Sequence, residues 1–199
     1  MKIPPALVGA LRKAKSVAVL TGSGISAESG VPTFRDAQTG LWENFDPMRL
    51  ATAEAFERNP KLVWDWYEWR RKLVSEAKPN PGHEALAELE RLVPDFTLVT
   101  QNVDGLHQES GSKNVLELHG NIRRTVCSNE ELVVEPEDFG EGVPPKCRNC
   151  GAFLRPDVVW FGEMLPAGVM ESASGAARNC EILLSVGTSS LVYPAASLP

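Results

Sequence analysis

Several short polar segments of the chain stand directly after apolar runs. Gln101-Asn102-Val103-Asp104 follows the apolar run FTLVT, His119 follows VLEL, and Gly187-Thr188-Ser189 follows EILLSV. Each run is rich in β-branched or aliphatic residues and reads as a buried strand. Ligands of open α/β sheets bind outside the carboxyl ends of the strands. Amide and carboxylate side chains at that edge can hydrogen-bond an amide or a ribose. A single histidine at a strand end is more often structural than catalytic. Polar strand ends and a glycine loop converging on one crevice shift that balance.

The stretch TGSGISAESGVPTFRD follows another apolar run, SVAVL, and its Gly22, Gly24 and Ala27 satisfy G-x-G-x-x-A. Glycines between a strand and a helix allow a tight turn and let backbone N–H groups approach a pyrophosphate. A hydride-transferring Rossmann unit would continue into a second strand ending in an acid about 20 residues on. The chain gives GVPTFRDAQTGLWENFDP instead, a loop-like stretch with a buried-type Phe34 beside Arg35. The stretch is therefore either a plain turn without a ligand or a loop that holds a dinucleotide differently from an oxidoreductase cofactor.

Cys147-Arg-Asn-Cys150 has metal-ligand spacing, and Cys127 lies upstream. A zinc ribbon repeats Cys-x2-Cys, whereas here the second position of the first pair is Glu130. Carboxylate oxygen ligates zinc, so the spacing implies one structural ion on Cys127, Glu130, Cys147 and Cys150, or a lobe that has lost its metal. Cys180, alone before a core strand, reads as packed and inert.

The run WDWYEWRRK, residues 64–72, belongs to a helix from about Pro60 to Ala77, capped by Asn59 with proline at its first position. Helical spacing puts Leu62, Trp66, Trp69, Leu73 and Ala77 on the buried face, and Asp65, Glu68, Arg71 and Lys72 opposite. Arg70 projects about 40° from the centre of the apolar stripe, with Tyr67 about 60° further round. One reading packs the arginine stem under a tryptophan with its head in water. The other is a half-buried guanidinium that awaits an anion.

The elements that must position these groups follow the same patterns. Strands are expected at Ser16–Leu20, Phe96–Thr100, Val115–Leu118, Asp157–Phe161 and Glu181–Val186. Helices are expected as a short turn from Glu28, then at Thr52–Arg58, Pro60–Ala77, Gly82–Arg91 and Ala167–Arg178. The alternation implies an α/β fold, a Rossmann-like parallel sheet with helices on both faces. Residues 1–120 and 157–199 form that domain, residues 121–156 a small inserted cysteine-containing lobe, and residues about 36–80 a helical insertion. The chain stops at YPAASLP after the last strand, where a doubly wound sheet would continue, so C-terminal strands are expected to be missing.

The chain has 199 residues, 43% of them hydrophobic, with a net charge of −6. That balance excludes a broad nucleic-acid surface, and no apolar run reaches the length of a membrane span. The start lacks a signal-peptide core, and clustered cysteines without export favour metal over disulfides, so the expected location is cytoplasmic.

GSGISAESGVPTFR, TQNVDGLHQESGSKNVLELHGN, the cysteine lobe, LRPDVVWFGEMLP and SVGTSS together resemble the sirtuin family of NAD-dependent protein deacylases, over almost the whole chain. The resemblance implies NAD as co-substrate, bound by the segment Gly22 to Arg35 (Gly22, Ser23, Gly24, Ala27, Glu28, Phe34 and Arg35) and by Gly187, Thr188 and Ser189. Gln101, Asn102 and Asp104 would position the nicotinamide and its ribose. The acyl oxygen of a modified lysine would attack the ribose as nicotinamide leaves, and His119 would deprotonate a ribose hydroxyl. The catalytic set is then His119, Asn102 and Asp104, and the products are free lysine, nicotinamide and 2'-O-acyl-ADP-ribose.

The same resemblance assigns Val159, Phe161 and Gly162 to a segment that pairs with an extended acylated peptide. Tyr67 and Arg70 resemble the pair in class III members, which remove succinyl, malonyl and similar acidic acyl groups, and Ala51 leaves room for a longer acyl chain. Two departures stand out: Glu130 in place of a ligand cysteine, and the C-terminal end. The rival reading is a non-catalytic NAD or ADP-ribose sensor, which would keep the glycine loops and have no need of His119.

Overall fold

The computed structural model describes residues 4–32 and 46–199. Helix α1 (Pro5–Leu11) leads into strand β1 (Ser16–Thr21), followed by a 3₁₀ turn over Ser23–Ser29. Helices α2 (Pro47–Leu50), α3 (Ala53–Arg58), α4 (Pro60–Glu76) and α5 (Pro81–Leu92) precede β2 (Asp95–Thr100). Then come α6 (Leu106–Glu109), β3 (Val115–Glu117), β4 (Gly120–Cys127), β5 (Leu154–Val158), α7 (Ala167–Asn179) and β6 (Ile182–Val186).

Four strands form one parallel sheet in the order β3-β2-β1-β6. Alternation along β1 splits its core between two faces. Val17 and Val19 pack with Leu86, Val93 and Phe96 on the side of α5. Leu20 packs with Val99, Leu118 and Ala173 on the side of α7. Because the strands are parallel, Thr21, Thr100, Glu117 and Val186 all end on one edge, and the residues after them share it. No helix among the described residues is long and apolar enough to cross a membrane.

The fourth expected strand is displaced. The structure places β5 at Leu154–Val158, antiparallel to β4 in a separate two-stranded sheet, not at Asp157–Phe161. Beyond Val158 the backbone turns to other partners: Val159 N–H donates to the His119 carbonyl (3.0 Å) and Phe161 N–H to that of Ala51 (2.9 Å). Of the apolar VVW run, only Val158 is in the sheet, opposite Gly120, while Trp160 is buried against the helices. Strand β4 itself, GNIRRTVC, escaped the pattern because its polar residues interrupt the alternation.

Helix α4 begins as its caps dictate, with the Asn59 side chain accepting from Leu62 N–H at 3.1 Å and Pro60 at the first position. Its buried face is rotated from the expected one. Val63, Trp64, Trp66, Tyr67 and Val74 are buried, while Leu62, Trp69 and Leu73 are half-exposed. The stripe centre moves round the helix past Arg70, to the side of Val63, Tyr67 and Val74. The cause is a second packing partner: Trp64 enters the cysteine lobe beside Cys127, Cys147 and Leu154. Arg71, expected on the solvent side, lies against β4. Its guanidinium donates to the carbonyls of Ile122 (2.6 Å) and Arg124 (2.8 Å) and to the Thr125 hydroxyl (2.9 Å).

Candidate active site at the sheet edge

The loops after β1 and β6 interlock. Gly24 N–H donates to the Gly187 carbonyl at 2.7 Å, and a Cβ on Gly24 would stand 2.7 Å from that oxygen. A Cβ on Gly187, whose φ is +62°, would lie 2.3 Å from the Ile25 nitrogen. Glycine is thus demanded first by loop-on-loop packing. What remains exposed is the outer rim, Ser23, Gly24, Ala27 and Glu28, next to Thr188 and Ser189. Gln101 spans the two loops, its amide donating to the Thr188 hydroxyl (3.0 Å) and the Thr21 carbonyl (3.3 Å). Phe34 and Arg35 lie outside the described residues.

Beneath this rim is a buried polar network. The Ser26 hydroxyl donates to Asp104 (2.7 Å) and accepts from the Asn102 amide (3.0 Å), with His83 Nε2 at 3.3 Å. Asp104 turns its other oxygen to Leu106 N–H at 2.9 Å, at the start of the short helix α6. His107 Nε2 meets the Thr21 hydroxyl at 3.0 Å, and its Nδ1 has no partner among the described residues. Burial first, then the neighbouring His83, pushes the His107 pKa down to about 4, and burial lowers that of His83 too. The sequence reading brought Asn102 and Asp104 to this place but passed over Ser26, His83 and His107. The one available signal was that GISAES and GLHQES put polar side chains at helical spacing beside apolar ones.

His119 stands at the same edge. Its Nδ1 lies 2.9 Å from the Gln101 carbonyl oxygen, an atom that can only accept. The proton of the neutral ring therefore sits on Nδ1, and Nε2 carries the lone pair. Burial lowers the His119 pKa, partly offset by that carbonyl, so the ring is neutral at physiological pH. Gly120 follows with φ of +78°, where a Cβ would come within 2.3 Å of the Asp157 carbonyl. That close approach holds the histidine between the main sheet and the two-stranded one.

Next to His119, whose carbonyl accepts from Val159 N–H, α4 and the segment after β5 pack into one buried cluster. Tyr67 and Trp160 are almost fully buried, at 2% and 3% exposure, with the Trp160 indole N–H donating to the Tyr67 hydroxyl at 3.0 Å. Ala51 is buried in the same cluster. The Arg70 guanidinium lies 5.2 Å from the Trp66 ring centre, and burial lowers its pKa, with Tyr67 acting in the opposite sense. Val159 and Phe161 have their N–H groups engaged within the chain, while Gly162 is exposed with φ of +89°.

This geometry has known counterparts. The model of the Sir2 family matches residues 22–194. The chain belongs to the Sir2 family. It is 54% identical over 190 residues to an NAD-dependent protein deacylase of Aquifex aeolicus, covering 92% of this chain and 77% of that one. The crystal structure of a Sir2 homologue–NAD complex superposes with a TM-score of 0.90 at 46% identity, covering 100% and 77%. A Sir2–p53 peptide–NAD+ complex gives 0.85 at 33% identity, covering 100% and 81%.

In this Sir2 protein the four candidate metal ligands do come together. One donor atom from each of Cys127, Glu130, Cys147 and Cys150 lies within 4.8 Å of the others. The Cys127 and Cys150 sulfurs are 3.4 Å apart, and Cys147 Sγ is 4.0 Å from Glu130 Oε2. Burial opposes ionisation of Cys127, but the backbone N–H groups of Asn129 and Glu130 and the neighbouring thiols outweigh it and lower its pKa. Three sulfurs and one carboxylate oxygen suit a tetrahedral zinc ion, which would tie the β4–β5 lobe together. None of the four residues is at the sheet edge.

Proposed function

We propose that this protein is an NAD-dependent protein-lysine deacylase that accepts acetyl and, in particular, succinyl- or malonyl-type acidic acyl groups, releasing nicotinamide and 2'-O-acyl-ADP-ribose. The observation that carries the reading is His119, a neutral imidazole whose tautomer is set by the Gln101 carbonyl and whose Nε2 is left to accept a proton. NAD, when bound, supplies the electrophilic ribose carbon to which the acyl oxygen is transferred. The exposed rim of Ser23, Gly24, Ala27 and Glu28 and the Gly187–Ser189 loop suit its phosphates. Gln101, Asn102 and Asp104 suit its amide and ribose, with Ser26 and His83 holding the last two in place.

The acidic acyl preference rests on Tyr67 and Arg70. A guanidinium offers two parallel donors to a carboxylate, and a tyrosine hydroxyl adds another. Incubation with NAD and an acylated peptide should release nicotinamide, and His119→Ala should stop this while NAD still binds. NAD binding with no acyl loss in the unaltered protein would favour a sensor instead. For the acyl preference, Arg70→Met should lower kcat/KM on succinyl-peptide about ten- to a hundredfold and leave acetyl-peptide little changed. Equal losses on both peptides would reduce Arg70 to a structural role.

A further inference from the structure

Tyr67 is aimed by a chain of contacts that begins on a different element. The Glu163 carboxylate grips the Arg155 guanidinium through both oxygens, at 2.6 and 2.9 Å, and also accepts the Trp160 backbone N–H at 2.7 Å. Arg155 donates in addition to the Val158 carbonyl at 2.9 Å. Held in this way, the guanidinium carbon lies 3.4 Å from the centre of the Trp160 ring. Phe56 packs on the same indole at 5.1 Å between ring centres. The indole is thus fixed in position, and its N–H reaches the Tyr67 hydroxyl at 3.0 Å.

The chemistry of that bond has a direction. An indole nitrogen can only donate, so the Tyr67 oxygen accepts there and keeps its own proton for another partner. No other hydrogen bond is made at that oxygen among the described residues. One turn further along α4 stands Arg70, whose guanidinium also can only donate. A Tyr67–Arg70 pair that offers only donors favours an acyl group whose far end is acceptor-only, and a carboxylate is such a group.

We propose that Trp160 is a specificity-positioning residue: by occupying the acceptor side of the Tyr67 hydroxyl, it commits Tyr67 to donate toward the acyl group and so selects acidic acyl chains. The proposal rests on the acidic-acyl reading of Tyr67 and Arg70. Without the indole N–H the hydroxyl is free to rotate and to accept, and the donor-only character of the pair is lost. Arg155 and Glu163 act one step further back, by holding the indole.

The test is a double-mutant cycle on Trp160→Phe and Tyr67→Phe, with kcat and KM measured separately for succinyl- and acetyl-peptides. Trp160→Phe should lower the succinyl-to-acetyl ratio of kcat/KM about three- to tenfold, the size expected for one neutral hydrogen bond. The loss should appear mainly in KM for the succinyl-peptide. In the Tyr67→Phe background the same change should do nothing further to the ratio, because the hydroxyl through which it acts is gone. Equal losses on both peptides, or an undiminished effect without the hydroxyl, would overturn the proposal and leave Trp160 a packing residue. An unchanged ratio in Tyr67→Phe alone would sink the acidic-acyl reading, and the proposal with it. Should Trp160→Phe fail to fold, Glu163→Gln loosens the same clamp from the edge of the core. It should shift the ratio in the same direction by a smaller factor, and no shift would overturn the proposal.

Discussion

The Nδ1 atom of His119 lies 2.9 Å from the carbonyl oxygen of Gln101, so the residue that follows β2 sets the tautomer of the histidine beyond β3. Two strand ends thereby act as one device. The carbonyl holds the proton on Nδ1, and burial keeps the ring neutral.

The pH dependence follows from that sign. The base must be unprotonated, and burial moves its pKa below the ordinary 6.5. The acid limb of kcat/KM should therefore fall below pH 6.5, with activity flat through neutrality. His119→Ala should lose about 10²- to 10⁴-fold and lose that limb as well. A limb centred above 6.5 that survives in the variant would assign the proton transfer to another group.

His107 makes a prediction about stability. Its pKa falls from 6.5 to about 4 in the folded chain. Between those values the unfolded chain binds a proton that the folded one refuses, so stability rises with pH across that window. The stabilisation is fully present above pH 6.5 and is lost as the pH drops to about 4, with a size of order 3 kcal/mol. Urea unfolding from pH 4 to 7 measures it. His107→Gln, which keeps a polar partner for Thr21, should flatten the slope, with His83 leaving a residual. An identical slope would place the effect elsewhere.

The sequence made some of this legible for a physical reason. Buried strands carry unbroken apolar runs, so β1, β2, β3 and β6 and the polar residues at their ends could be read directly. Strand β4 could not, since Arg123 and Arg124 interrupt its apolar run to pair with groups from other elements: the Asp104 carbonyl and Glu109 for one, Glu117 and Asp157 for the other. The network of Ser26, His83 and His107 was hidden because its members are brought together from distant elements, and no spacing along the chain records that. Helix α4 was read correctly in extent and wrongly in face. A single period assumes one packing partner, and this helix has two.

Glu130 allows a test of the cysteine lobe. Purified protein should carry close to one zinc per chain, held by Cys127, Cys147, Cys150 and Glu130. Glu130→Ala should speed zinc loss to a chelator and lower the Tm, and Glu130→Cys should slow it, thiolate being the preferred ligand. NAD affinity should stay the same in both, since none of the ligands is at the sheet edge. Zinc retention that is indifferent to residue 130 would remove the carboxylate from the ligand set.

Arg70 and Arg71 are adjacent in sequence and differ in what they hold. Arg71 donates to two carbonyls and a hydroxyl of β4, pairs with Glu68 at 2.7 Å, and lies 5.3 Å from the Trp64 ring centre. It therefore fastens α4 to the two-stranded sheet. Arg71→Met strips partners from the Ile122 and Arg124 carbonyls, and each charge-assisted bond contributes about 1.5–3 kcal/mol net. Water reaches part of this site and the bonds are not additive, so the expected loss is roughly 2–4 kcal/mol in unfolding free energy. Because α4 carries both Tyr67 and Arg70, the residues proposed to meet the acyl group, such a loss should lower turnover of succinyl- and acetyl-peptides together. Arg70→Met should instead change the ratio between the two peptides. Chemical denaturation and kcat/KM on both peptides separate these cases. A changed ratio in Arg71→Met with unaltered stability would mean that the acyl group is read by the second arginine and not the first.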